Sequence, residues 1–216
     1  MKYFTFLAAV FISINANAGK WDEMNYGPFL TTSLEIPGAG IANKAIAIRL
    51  DAGRGGVAKG NAFMLYDTDL LGCSVGWMGG FIDWRGIAFD GRHNAHASIT
   101  GTQTFANPVG PGWVSPKRQW ADDVRVKGLD NKPYGPLPRD WAHYKGLYVN
   151  GNRVVLSYTV GARGVFESPS LHGNDVFIRN LHIAPGTSEI MAQIVRGTGD
   201  AMHLKGSKNI VLVKSG

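Results

Sequence analysis

Twenty-nine glycines and ten prolines interrupt this chain at short intervals, and between them apolar residues almost never keep a 3.6-residue period long enough to build a helix. A chain broken up in this way can bury its apolar side chains only by pairing short extended segments. The sequence therefore predicts an all-β fold, an antiparallel β-sandwich or a partial β-propeller. Candidate strands are residues 44–50, 62–67, 70–78, 96–101, 146–150, 153–160, 164–168, 176–183, 189–197 and 209–215.

The plainest local signal is LYVNGNRVVLSYTVG, where Asn150-Gly151 is expected to supply the positive φ angles of a tight hairpin turn. In its second arm Val154, Leu156, Tyr158 and Val160 alternate with Val155, Ser157 and Thr159. One face of this strand is apolar and the other mixed. Between Asn107 and Tyr144 the alternation is lost in a stretch rich in proline, glycine, aromatic and charged residues. Its aromatics Trp113, Trp120, Tyr134 and Trp141 would be costly to leave in water, so it is expected to be a long ordered loop or lid.

Residues 1–18, MKYFTFLAAVFISINANA, carry a lysine near the start, an apolar run from Tyr3 to Ile14, and small residues at Ala16 and Ala18. That is the layout of a secretory signal peptide, and the run is short for a membrane span. Cleavage after Ala18 leaves residues 19–216 as a single β-rich domain, expected to be secreted or periplasmic with no transmembrane segment. The closing NIVLVKSG reads as a strand of a β-architecture that continues, so the domain is expected to be truncated at its C-terminus. The formal charge of +6 comes from scattered residues, which argues against a nucleic-acid surface and leaves an acidic glycan or an anionic membrane face open. One cysteine, Cys73, permits no internal disulfide and no C-x-x-C-H haem attachment; its apolar neighbours predict a buried, inert thiol.

The densest chemistry lies in DWRGIAFDGRHNAH, residues 83–96. His93 and His96 stand three apart, which places them on opposite faces of an extended segment, and no zinc motif accompanies them, so no metal site is assigned. Asp83, Trp84, Asp90 and Arg92 suit a sugar: a ring's C–H face stacks on tryptophan while carboxylates and a guanidinium bind hydroxyls. A carboxylate pair can also hydrolyse a glycoside, but the separation required is a spatial property. The plainer alternative is that Asp90-Gly91 makes a turn and Asp83 pairs with Arg85 or Arg92. In YGPLPRDWAHYKGLY, Asp140 is expected to cap a short helical turn starting at Trp141, or with Trp141 to bind ligand. His143, like His93, is a candidate general base. The glycine-rich DAGRGGVAKG lacks a G-K-[ST] ending and a following helix, and reads as a loop between strands.

The segments NYGPFLTTSL, KAIAIRLDAGRGGVAKGNAFMLYDTDLL, GWMGGFIDWRGIAFDGRHNAH, FANPVGPGWV and PYGPLPRDWAHYKGLYVNGNRVVLSYTVG together resemble a domain family of unknown function. It occurs near the N-terminus of large exported proteins of planctomycetes and related bacteria, which often carry a c-type cytochrome domain farther along. The resemblance runs from about Tyr26 to Val165 and implies no catalytic residues, since the family has no assigned reaction. It implies that any haem c sits on a missing C-terminal domain or a partner, with no cofactor in this chain. The leading expectation is an N-terminal module of an exported protein that binds carbohydrate or another extracellular organic substrate in a cytochrome-linked assembly. The alternatives are a non-catalytic structural or docking domain and, more weakly, a stand-alone glycoside hydrolase-like enzyme.

Overall fold

Both faces of the central strands are apolar, and each face serves a different core. A computed structural model describes residues 24–85 and 96–196, with the backbone of 200–203 and 211–214. The signal-like residues 1–18 and the candidates Asp90, Arg92 and His93 lie outside the described residues. Seven strands form the larger sheet: β1 (Phe29–Ile36), β2 (Gly40–Arg49), β3 (Ala62–Asp67), β4 (Gly72–Met78), β5 (Ile82–Asp83), β6 (Ala97–Ile99) and β7 (Thr102–Ala106), in the order β5-β6-β1-β2-β3-β4-β7. A two-stranded ribbon of β8 (Val126–Lys127) and β9 (Pro133–Tyr134) follows. Next comes a four-stranded meander of β10 (Ala142–Asn150), β11 (Arg153–Val160), β12 (Arg163–His172) and β13 (Val176–Ile183), and last the pair β14 (Asp200–His203) and β15 (Val211–Lys214). The protein is all-β, as its sequence predicts. Among the described residues no helix is long and apolar enough to cross a membrane.

The seven-stranded sheet is curled into a half-barrel. Period-2 alternation sends Ile46, Ile48, Met64 and Tyr66 outward, against Leu156, Tyr158 and Val160 of the meander; Ala45, Ala47, Phe63 and Leu65 point into the curl with Leu34, Trp77 and Phe81. Two apolar faces explain the uninterrupted AFMLY of β3. In β4 parity alone would put Cys73 and Val75 in the same core. Leu65 pairs with Val75 and Tyr66 with Cys73, so Ser74 is an extra, bulged residue, and Cys73 faces the sandwich while Val75 faces the curl. Cys73 is buried, which pushes its thiol up to about 12 and leaves it inert, in line with its sequence setting.

One ionic group lies inside the sandwich. Arg179 of β13 donates from Nε to Glu167 Oε1 at 2.5 Å and from Nη2 to Oε2 at 3.1 Å, and Tyr158 adds its hydroxyl to Oε2 at 2.7 Å. The remaining Arg179 nitrogen, Nη1, donates to the Gln193 carbonyl at 2.7 Å. Burial works against the Arg179 charge, but the adjoining Glu167 carboxylate more than offsets it and holds the guanidinium ionised.

Several local expectations change in the folded chain. The β10–β11 turn closes on Asn150 opposite Arg153, so its central residues are Gly151 and Asn152; Gly151 alone has positive φ, at 59°. That matches a turn with glycine first, as opposed to an Asn-Gly turn. In candidate strand 189–197 the described residues, 189–196, form no strand. Met191 and Gln193 instead bond to Val114 and Gly112, and Asn107 grips Ile194 and Arg196, making a strap across the loop that follows β7. The long loop is ordered, but only Trp113 and Trp141 plug the sandwich; Trp120 and Tyr134 remain 45% and 42% exposed. No helical turn begins at Trp141: the Trp141 and Ala142 amides both donate to the Pro138 carbonyl, so the turn ends where β10 starts.

Candidate functional site

Among the described residues, those singled out from sequence do not converge. Asp83, exposed at the end of β5, accepts the Arg85 amide at 2.8 Å and holds Arg85 at φ 50°, while the Arg85 guanidinium pairs with Glu35 at 2.5 Å. Trp84 is half-buried, its ring 6.2 Å from that of Tyr26, and packs on the core inside the curl. Trp141 is buried in the sandwich core with Nε1 donating to the Trp113 carbonyl at 3.0 Å. The two indoles thus belong to opposite faces of the seven-stranded sheet and cannot clamp one ligand. His96 joins Ser33 through Nδ1 at 2.9 Å, a tie between β1 and the residue just ahead of β6. Asp140 is exposed on the turn ahead of β10.

His143 is the candidate that shares a surface with something new. In the meander Val154, Leu156, Tyr158 and Val160 point inward, so Val155, Ser157 and Thr159 line the outer face. Register then carries the face across the sheet: His143 stands opposite Thr159, Gly146 opposite Ser157, and Tyr148 opposite Val155. Ser157 lies opposite Phe166, and Phe166 opposite His182. Tyr148 and Phe166 are 63% and 44% exposed, with ring centroids 6.2 Å apart and planes inclined by 55°. They flank β11, and the small Ser157 and Gly146 leave room beside the rings.

Polar groups alternate with these rings. Asn180, opposite Ser168 on β12, donates to the Ser168 carbonyl at 3.0 Å and to the Ser170 hydroxyl at 2.9 Å, which fixes its amide. The His143 imidazole is held below its ordinary range by burial and by the nearby Arg139 and Lys145 charges, so at neutral pH it offers one donor and one acceptor. Glu167, the one carboxylate on the strands of the meander, points inward to Arg179, and Asp175 lies in the β12–β13 turn. This face can stack rings and exchange hydrogen bonds with neutral polar groups, but it lacks the paired carboxylates of glycoside hydrolysis. Among the described residues no three His, Cys, Asp or Glu side chains stand close enough together to hold a metal ion.

The sequence alone does not bring Tyr148 and Phe166 together. Alternation along β11 was visible, but Tyr148 faces outward only because Lys145 forms a bulge between Tyr144 and Gly146, and Phe166 reaches it only through the β11–β12 register.

Fold and face together define an all-β sandwich domain with an aromatic-bearing open sheet. Residues 64–167, from β3 into β12, match the model of a family described as a domain of unknown function (DUF6797), which supports the family resemblance drawn from the sequence. No curated protein and no solved structure matches the chain.

Proposed function

We propose that this domain is a non-catalytic carbohydrate-binding module, with the sugar chain lying across the outer face of the β10–β13 sheet. The observation that carries the reading is the exposed Tyr148–Phe166 pair set among serine, histidine and asparagine side chains on the outer face of the meander. Apolar C–H faces of sugar rings pack on aromatic rings, and the intervening polar groups bind hydroxyls that would otherwise lose water. A face meant for an obligate protein interface would be more continuously apolar.

The setting we infer is an exported protein, in an assembly that includes a c-type cytochrome. It rests on the signal-like layout of residues 1–18 and on the resemblance to N-terminal domains of such proteins.

Glycan-array screening followed by titration calorimetry tests the binding face. Tyr148→Ala and Phe166→Ala are each expected to weaken binding by about tenfold, as expected for a ring near the centre of a small interface. Both positions are exposed, so thermal unfolding should stay close to wild type. Trp84→Ala is expected to leave affinity unchanged. Loss of binding in Trp84→Ala with full binding in Tyr148→Ala would move the site to the 83–96 segment, and a folded wild type that binds no glycan would sink the reading.

A further inference from the structure

Where β2 runs out and β11 begins, a cleft of about 330 Å³ opens between the two sheets. Ile48, Leu50, Val154 and Pro169 form its apolar wall, and Arg49, Asp51, Asn152, Arg153 and Ser170 supply its polar groups.

Its two arginines differ in kind. Arg49 is saturated: Nε and Nη2 donate to Asp51 Oδ2 at 3.1 and 2.8 Å, and Nη1 donates to the Arg54 and Gly56 carbonyls at 3.1 and 2.8 Å. Asp51 Oδ1 in turn accepts the Asn61 and Ala62 amides at 2.7 and 2.9 Å. This pair is a closed, neutral unit that shapes the glycine-rich loop after β2. Arg153 uses only Nε, at 3.3 Å from the Ser168 hydroxyl, and has no carboxylate partner among the described residues. The cleft therefore holds one cation without a counter-charge.

We propose that this cleft receives the carboxylate of a uronic acid, so that the ligand of the sheet face is an acidic glycan. The inference rests on the carbohydrate-binding reading above and names its substrate class. A guanidinium presents a planar fork that matches a carboxylate. The Asp51 carboxylate in the same wall favours a single negative charge over a doubly charged phosphate. The Asn152 carbonyl oxygen and the Ser170 hydroxyl proton, neither of them used in the contacts these side chains make, suit sugar hydroxyls. Position supplies the link to the aromatic pair. Arg153 stands opposite Asn150 and Tyr148 opposite Val155, so the ring lies two residues, about 7 Å, along the sheet from the arginine. A chain stacked on Tyr148 places its next sugar unit at the cleft.

The experiment compares oligogalacturonate with neutral oligogalactose, and free galacturonate with free galactose, by titration calorimetry and NMR on wild type, Arg153→Gln and Tyr148→Ala. Wild type is expected to prefer the uronate oligomer, and Arg153→Gln to reduce that affinity by about tenfold while leaving any neutral-oligomer affinity within about twofold. Uronate affinity should also fall as salt rises. Equal binding of uronate and neutral oligomers, indifferent to Arg153→Gln, overturns the inference and leaves the carbohydrate reading standing. If neither oligomer binds, the free monosaccharides decide: Arg153-dependent shifts with galacturonate alone support the cleft, and their absence overturns it.

Discussion

Replacing Glu167 by glutamine is expected to remove about 3–5 kcal/mol of folding stability, a large fraction of what a domain this size possesses. The cost arises because Arg179, whose side chain is only 6% exposed, is left charged in the sandwich core with no anion. Glutamine keeps one acceptor for the Tyr158 hydroxyl but cannot neutralise a guanidinium. Arg179→Met should cost a comparable amount by stranding the carboxylate. The double variant Glu167→Gln/Arg179→Met is expected to recover at least half of either loss, since with both charges removed no uncompensated ion is left in the core. Urea denaturation of the four proteins measures the coupling. Additive losses would mean that the pair does not act as a unit.

The second large effect concerns Asp67 at the end of β3. It is buried, and its Oδ1 accepts the Asp69 and Leu70 amides at 2.9 and 3.2 Å. Burial nevertheless outweighs those two bonds and the attraction of Arg125, and raises the carboxyl from 3.8 to about 6. A folded-state value above the unfolded one means that the folded protein binds more protons between the two. The stabilisation is therefore complete below about pH 4 and is lost as pH rises through about 6, amounting to about 3 kcal/mol. Asp67→Asn retains an acceptor for both amides and cannot ionise. Its stability relative to wild type should climb across that window and exceed wild type by about 2 kcal/mol at pH 8. Subtracting the two pH profiles isolates Asp67 from the other carboxylates. A variant less stable than wild type at pH 8 would refute the assignment.

Much of the fold could be read locally. Strands β3, β11 and β13 coincide with their expected segments because alternation and flanking glycines are short-range signals. Strand β1 has no clear local signal: FLTTSLEI mixes hydroxyl and charged residues, and it is a strand because β2 and β6 pair with it on either side. Segment 189–197 failed in the opposite direction. It is as apolar as a strand, but its backbone partners are single residues around Trp113, and a strap results.

The candidate site was less legible. Chemistry-bearing residues cluster in the sequence at 83–96 and 139–144, and in space the described ones, Asp83, Trp84, His96 and residues 139–144, are divided between local turns, two apolar cores and one sheet face. Trp141 illustrates the difficulty: indole serves equally as a platform or as core, and only its enclosure by the sandwich decides.

The chain's own pattern was enough to set its class. Close-spaced glycine and proline with period-2 alternation leave no route to burial except paired strands, and hairpin turns need only neighbours in sequence. Tertiary structure alone decided which faces meet. The Ser74 bulge that assigns β4 residues to two cores, the union of Glu167 with Arg179, and the meeting of Tyr148 with Phe166 all depend on register and sheet packing. A one-residue slip would turn each of those side chains to the other face, so they are properties of the assembled sheets and not of any segment read by itself.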